Sequence, residues 1–146
     1  MNMNAASTSP QVGLLLVTHG TFGAALLDAA SMIMGPQAGC ETVSVAVDSG
    51  PDQTVEAIRA AVERLDAGAG VLALTDLFGG SPTTLSLSLV NSQKVEVVTG
   101  VNLPMLVKAL RERGRGLDEL AALARDAGQQ GIKVAGEMLR RRAAAN

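Results

Sequence analysis

The chain has 146 residues, 47% hydrophobic and 18% charged, and its 12 basic and 14 acidic side chains leave a formal charge of −2. These values describe one globular domain with chain enough for a single core, and they exclude a disordered polypeptide. With no basic excess and only Phe22 and Phe78 as aromatics, the chain lacks the charge footprint and the stacking platforms of a nucleic-acid binder. A single cysteine, Cys40, cannot form an internal disulfide, which points to a reducing compartment. The first apolar run, Leu14 to Val17, is too short for a signal or a membrane span, so a cytoplasmic protein is expected.

Residues 1–11 are small and polar and are expected to form a loose leader before one domain over 12–142, with 143–146 as a tail. Gly13 to Thr18 is a continuous apolar run of strand length, the pattern of a strand buried on both faces. From Phe22 the apolar residues fall on Ala25, Leu26, Ala29, Ala30, Ile33 and Met34, a helical spacing that Gly35-Pro36 stops. Thr42 to Val47 alternates and reads as a second strand. Ser49 to Asp52 is a turn able to cap a helix whose Val55, Ile58, Ala61, Val62 and Leu65 form one stripe before Gly68. Gly70 to Asp76 is a third buried strand. Ser81-Pro82 then has the form of an N-cap with proline at the first helical position, and the helix is expected to reach Val90. Residues 94–99 make a fourth strand, Gly100 turns the chain, and Asn102 caps a helix through Arg111.

Strand and helix in strict alternation specify an α/β fold, a three-layer α/β/α domain around a mostly parallel four-stranded sheet with right-handed crossovers. The small doubly wound strand order 2-1-3-4 is expected. Leu117 to Ala127 adds an amphipathic helix with Leu117, Leu120, Ala121, Leu123 and Ala124 inward. Beyond it, Ile132 to Gly136 alternates like a strand while Glu137 to Arg142 continues like a helix, and periodicity leaves both readings open.

Ligands of open parallel sheets bind beyond the carboxyl ends of the strands, where the strand order reverses. Here that point lies between strands one and three, at Thr18-His19-Gly20 and at the run Thr75 to Ser81 (TDLFGGS). The only histidine of the chain therefore faces Asp76 from the neighbouring strand. An imidazole of ordinary pKa, about 6.5, is mostly neutral at pH 7. A carboxylate that holds one ring N–H fixes the tautomer and leaves the lone pair of the other nitrogen free to attack. His19 and Asp76 are the candidate catalytic residues. Gly79 and Gly80, with Gly20 beside the histidine, let backbone N–H groups approach a phosphoryl group, and the Ser81 hydroxyl adds a donor. The same residues also suit a plain tight turn and helix cap.

Other chemistries fit less well. No lysine of the Walker type follows these glycines, so a P-loop is absent. Ser81 does not sit in the Gly-x-Ser-x-Gly elbow of a serine hydrolase. Thr-His-Gly lacks the arginine and the second histidine of a histidine phosphatase. One histidine with one distant cysteine is too thin for zinc, and no metal is expected. Cys40 reads as packing at a strand entry, and Arg140 to Arg142 as a solvated helix end. A hydrolase using His19 as base stays open on these residues alone.

The run GLLLVTHGTFGAALLDAASMIMG, the turn LTDLFGGSP and the segment VVTGVNLPML resemble the enzyme IIA domain of the mannose-type (mannose/fructose/sorbose) phosphoenolpyruvate-dependent sugar phosphotransferase system, or PTS. The likeness runs in order and with matching spacing over residues 12–140. It implies a cytoplasmic phosphocarrier without a cofactor, serving sugar uptake or regulation. Phospho-HPr would donate a phosphoryl group to His19, through Nε2, and a IIB domain or protein would accept it. The resemblance also implies that Asp76 orients the ring and that Ser81 and the adjacent glycines bind phosphoryl oxygens. It implies a homodimer exchanging an antiparallel C-terminal strand, which would make Ile132 to Gly136 a swapped edge strand. Thr21 and Leu77-Phe78 depart from what relatives carry there and imply a different wall around the histidine. Two alternatives accompany this reading: the phosphocarrier subunit of a dihydroxyacetone kinase, and a regulatory module that binds partners according to its phosphorylation state.

Overall fold

The architecture follows from two apolar runs that have no solvent face. In the computed structural model, which describes residues 9–48, 50–77, 80–90 and 94–146, these runs are β1 (Gly13–His19) and β3 (Val71–Thr75), both buried on both sides. They pair with each other and are flanked by β2 (Cys40–Val45) and β4 (Val95–Thr99), all parallel, in the order β2-β1-β3-β4. Alternate side chains of the central strands feed two separate cores. Leu14, Leu16, Leu72 and Leu74 point to one face, covered by α1 (Phe22–Met34), α4 (Leu103–Arg111) and α5 (Leu117–Gln130). Leu15, Val17, Val71 and Ala73 point to the other, covered by α2 (Pro51–Leu65) and α3 (Ser81–Leu87). The expected three layers and strand order are present. No helix among the described residues is long and apolar enough to cross a membrane.

Several local expectations hold and several need correction. The Asn102 side chain caps α4 by accepting from the Met105 N–H at 3.0 Å, and it also donates to the Gly128 carbonyl at 3.0 Å, tying α4 to α5. Strand β2 stops at Val45, short of Val47, because its parallel partner β1 ends at His19, the residue opposite Val45. Helix α1 is rotated from the expected stripe. It buries Gly23 and Ala30 and packs Leu26, Leu27 and Met34, while Ile33 is exposed. The cause is close approach at its first turn, where a Cβ on Gly23 would stand 2.8 Å from Thr18 Oγ1. The N-cap of α3 is Gly80, not Ser81. Gly80 is extended and its carbonyl accepts from the Thr84 N–H at 3.0 Å, so Ser81 and Pro82 are the first two helical residues. The helix itself ends at Leu87, and turns continue to Val90.

The C-terminal expectation also changes. Ile132 to Val134 is irregular, and Ala135 starts a helix, α6 (Ala135–Ala145), that buries none of its residues. No fifth strand joins the sheet among the described residues. A strand exists only through pairing, and among the described residues of the single chain no strand pairs with 132–134. The alanines and arginines that follow carry strong helical preference of their own. Most of the expected leader, residues 1–8, lies outside the described residues.

Candidate active site

The two central strands end side by side, and their register decides what meets. Val17 is paired with Thr75, so Thr18-His19, still paired with β2, run beside Asp76 just past the end of β3. Oδ2 of Asp76 accepts from the His19 backbone N–H at 2.9 Å and lies 2.9 Å from the ring Nδ1. An ionised carboxylate can only accept, so Nδ1 carries the proton in this contact and Nε2 holds the free lone pair of the neutral ring. The imidazole is 52% exposed and the Asp76 side chain only 15%. Burial pushes the Asp76 carboxyl up, but the two hydrogen bonds from His19 and the attraction of its ring outweigh that. The net result is a carboxyl below its usual range. Asp76 Oδ1 is buried with no hydrogen-bond partner among the described residues.

The corner carrying the histidine is fastened on both sides. Thr18 Oγ1 accepts from the Gly23 N–H at 2.7 Å, pinning the start of α1 beneath the site. Gly20 takes φ +53°, a conformation glycine adopts without steric penalty. Its N–H donates to the Val45 carbonyl at 3.1 Å and its carbonyl accepts from the Ser44 hydroxyl at 2.6 Å. Opposite, Gly80 lies against the ring. A Cβ there would stand 3.2 Å from His19 Cε1 and 3.7 Å from Nε2, so the absence of a side chain keeps the Nε2 edge accessible.

That edge opens into a cleft of about 510 Å³. One wall comes from the end of β2 and the start of α2 (Val45, Val47, Pro51), the other from α3 (Ser81, Thr84, Leu85). The cleft is mostly apolar, with Thr54, Ser81 and Thr84 bringing hydroxyls to its lining, and can hold a small oxyanion by N–H and O–H donors while an apolar surface seats against its rim. Among the described residues, no group of three His, Cys, Asp or Glu side chains is close enough to hold a metal ion.

Of the residues singled out in the sequence, His19, Asp76, Gly80 and Ser81 are brought together. Gly20 is adjacent, but its N–H is engaged by Val45, so it shapes the corner and does not present a donor. Gly79 and Phe78 lie outside the described residues. Sequence reasoning missed the β2–α2 wall, whose signal was that β2 lies on the other side of β1. It also missed the hydroxyls of Ser44, Thr83 and Thr84, which carry no motif.

Comparison with known proteins adds a family to this geometry. The family model described as "PTS system fructose IIA component" matches residues 13–125. The chain is 35% identical over 126 residues to the PTS system mannose-specific EIIAB component of Escherichia coli (strain K12), a match covering 84% of this chain. It spans only 39% of the length of that relative. It is 28% identical over 137 residues to the PTS system fructose-specific EIIA component of Bacillus subtilis (strain 168), covering 92% of this chain and 94% of that one. The mannose/sorbose specific IIA subunit of the phosphotransferase system from Enterococcus faecalis superposes with a TM-score of 0.78 at 29% identity, over 85% of this chain and 94% of that one.

Proposed function

For a chain that belongs to the mannose-type IIA family of the phosphotransferase system, we propose the role of a phosphocarrier that accepts a phosphoryl group on His19 from phospho-HPr and passes it to a IIB domain or protein. The observation that carries this reading is the contact of Nδ1 with Asp76 Oδ2 at 2.9 Å. It holds the ring in the tautomer whose Nε2 lone pair faces the cleft, ready to attack phosphorus. As the Nε2–P bond forms, the bond from phosphorus to the donor nitrogen breaks and its electron pair returns to the donor ring. Positive charge then grows on the His19 ring, and the Asp76 carboxylate neutralises it. Transfer to the acceptor reverses these roles.

The environment suits a group that has to be surrendered. The loops after the four strands, residues 20–21, 46–50, 76–80 and 100–102, contain no lysine or arginine. The phosphoryl oxygens would be held by backbone N–H groups near Gly80 and by the Ser81 hydroxyl, a lighter grip than an arginine clamp. A hydrolase would use the same Nε2 lone pair as a base beside an attacking water, so the tautomer serves either chemistry, and it is the family match that favours direct attack. The reading includes a homodimer. Ile132, Val134, Met138 and Leu139 are exposed in the single chain, and a second chain would cover them; light scattering should give twice the chain mass.

The test is incubation with phosphoenolpyruvate, enzyme I and HPr, read by intact mass. One acid-labile phosphoryl group is expected on the wild type and none on His19→Ala. No gain with a competent HPr of the same organism, or a gain that persists in His19→Ala, would end this reading. Chase with a IIB protein then identifies the acceptor.

A further inference from the structure

Asp76 is placed by something other than its own carboxylate. Both hydrogen bonds that the carboxylate makes to another described residue go to His19, through Oδ2, and Oδ1 has no partner among the described residues. Apart from the residue's own backbone N–H, nothing described on the β3 side grips the side chain, so the backbone that bears it decides where it lies. That backbone is tied to α3 by two buried hydroxyls. Thr75 and Thr83 are 0% and 1% exposed, and their Oγ1 atoms are 2.6 Å apart. Thr83 Oγ1 is also 2.7 Å from the Leu77 carbonyl. A carbonyl can only accept, so the one hydroxyl proton of Thr83 goes to Leu77, and Thr75 must donate to Thr83. The result is a directed relay from Thr75 through Thr83 to Leu77. Asp76 is the residue between the two ends, and both its neighbours are held by one side chain of α3. The Gly80 N–H, at 3.4 Å, reaches the same Leu77 carbonyl, so the relay also ties in the glycine that borders Nε2.

We propose that Thr83 is a positioning residue: its hydroxyl fixes the 75–77 corner so that Asp76 meets His19 Nδ1 and leaves Nε2 free. The role rests on the phosphocarrier reading, in which attack through Nε2 makes the ring tautomer matter. A threonine present for packing alone would be replaced by valine at little cost, since the two have the same shape. A threonine that positions Asp76 would not, because valine leaves the Thr75 hydroxyl without its acceptor and the Leu77 carbonyl with only the long contact from Gly80.

The experiment compares Thr83→Val with Thr83→Ser by two readouts, the rate of phosphoryl uptake from phospho-HPr and the ring nitrogen shifts of the single histidine. The wild-type ring is expected to be protonated at Nδ1 when neutral. In Thr83→Val that tautomer gives way to a mixture, and uptake slows by roughly tenfold to a hundredfold, the scale of a small misplacement at a reacting group. Thr83→Ser, which keeps the hydroxyl, restores both. A folded Thr83→Val with wild-type uptake and wild-type ring shifts overturns the proposal, as does Thr83→Ser behaving like valine. If Thr83→Val does not fold, Thr83→Ala against Thr83→Ser carries the same comparison, and the same outcomes uphold or overturn the role. If the wild type itself takes up no phosphoryl group, the phosphocarrier reading fails. The ring shifts then decide Thr83 alone: loss of the Nδ1–H tautomer without the hydroxyl upholds its hold on Asp76, and an unchanged ring overturns it.

Discussion

The two ends of one parallel sheet use polar groups in opposite ways. At the end where the strands begin, Arg113 is 6% exposed and fully committed to carbonyls. Its Nε donates to Val12 at 2.8 Å, Nη1 to Ala38 at 2.6 Å and Nη2 to Gly39 at 3.1 Å, which fastens the entries of β1 and β2 to the turn after α4. Nearby, Arg64 grips Glu41 from the end of α2 at 2.8 Å. At the end where the strands finish, the one histidine is half exposed, a buried carboxylate oxygen lacks a described partner, and Gly20 is left-handed. Val47 and Leu77 stand in solvent beside it. The loops there hold no lysine or arginine. Groups satisfied within the fold stabilise it, whereas groups left unsatisfied are free for a ligand. Stability and reactivity should therefore be separable by mutation, pole by pole.

The largest expected effect lies at the Arg113 end. Arg113→Met keeps the aliphatic stem but removes a charged donor from each of three carbonyls, of which Gly39 keeps the Leu14 N–H, and should cost about 3 kcal/mol in urea unfolding. Phosphoryl uptake by the folded fraction should remain at the wild-type rate, and a parallel loss of uptake would break the separation. Asp76→Asn should do the reverse. Its amide can present N–H to Nδ1 and so favour the wrong ring tautomer, slowing uptake by roughly a hundredfold. Its unfolding free energy should stay within about 1 kcal/mol of wild type. Unchanged uptake in Asp76→Asn would remove the carboxylate from the mechanism.

The same contrast explains what could be read from the amino-acid order alone. Continuous apolar runs at Gly13 to Thr18 and Gly70 to Thr75 announce strands with no solvent face, and they force a central position with helices on both sides. Once the order is set, the switch point locates His19 and Asp76 by topology alone. The rotation of α1 was not legible, because it depends on a single close contact between Gly23 and Thr18, invisible to periodicity. The cap of α3 was displaced by one residue for a similar reason, since Gly-Ser-Pro suits either Gly80 or Ser81 and only φ and ψ choose between them. The relay from Thr75 to Leu77 through Thr83 has no spacing rule, as it joins a strand end to the first turn of a helix across a loop. Ile132 to Val134 alternates like a strand, but whether a strand forms depends on a pairing partner that lies outside the local pattern.

Smaller effects sharpen the comparison. Gly20→Ala should cost about 1 kcal/mol, because φ +53° disfavours any Cβ while nothing stands within 4 Å of the one added. The cost is thus purely conformational, and thermal melting would measure it. Alanine keeps the backbone N–H that Val45 accepts, so any change in uptake should follow the disturbance of His19.

The finest distinction is in pH. The Asp76 carboxyl titrates below its ordinary value in the folded protein because the His19 contacts outweigh burial. Such a group contributes stability that is present above its unfolded pKa, about 3.9, and is lost as pH falls through the lower folded value. The stability gap between wild type and Asp76→Asn should therefore be present at about pH 5 and shrink below about pH 4. The effect is small, since burial cancels part of it. The deficit of Arg113→Met has a different origin. Main-chain carbonyls do not titrate, so that gap should show no step over the same acid range. Urea midpoints for the three proteins at pH 7, 5 and 3 would decide it: a gap for Asp76→Asn unchanged at pH 3 would mean that the carboxylate's bonds to His19 do not stabilise the fold. Only the Arg113 pole would then be structural, and the contact at Nδ1 would be kept for the ring alone.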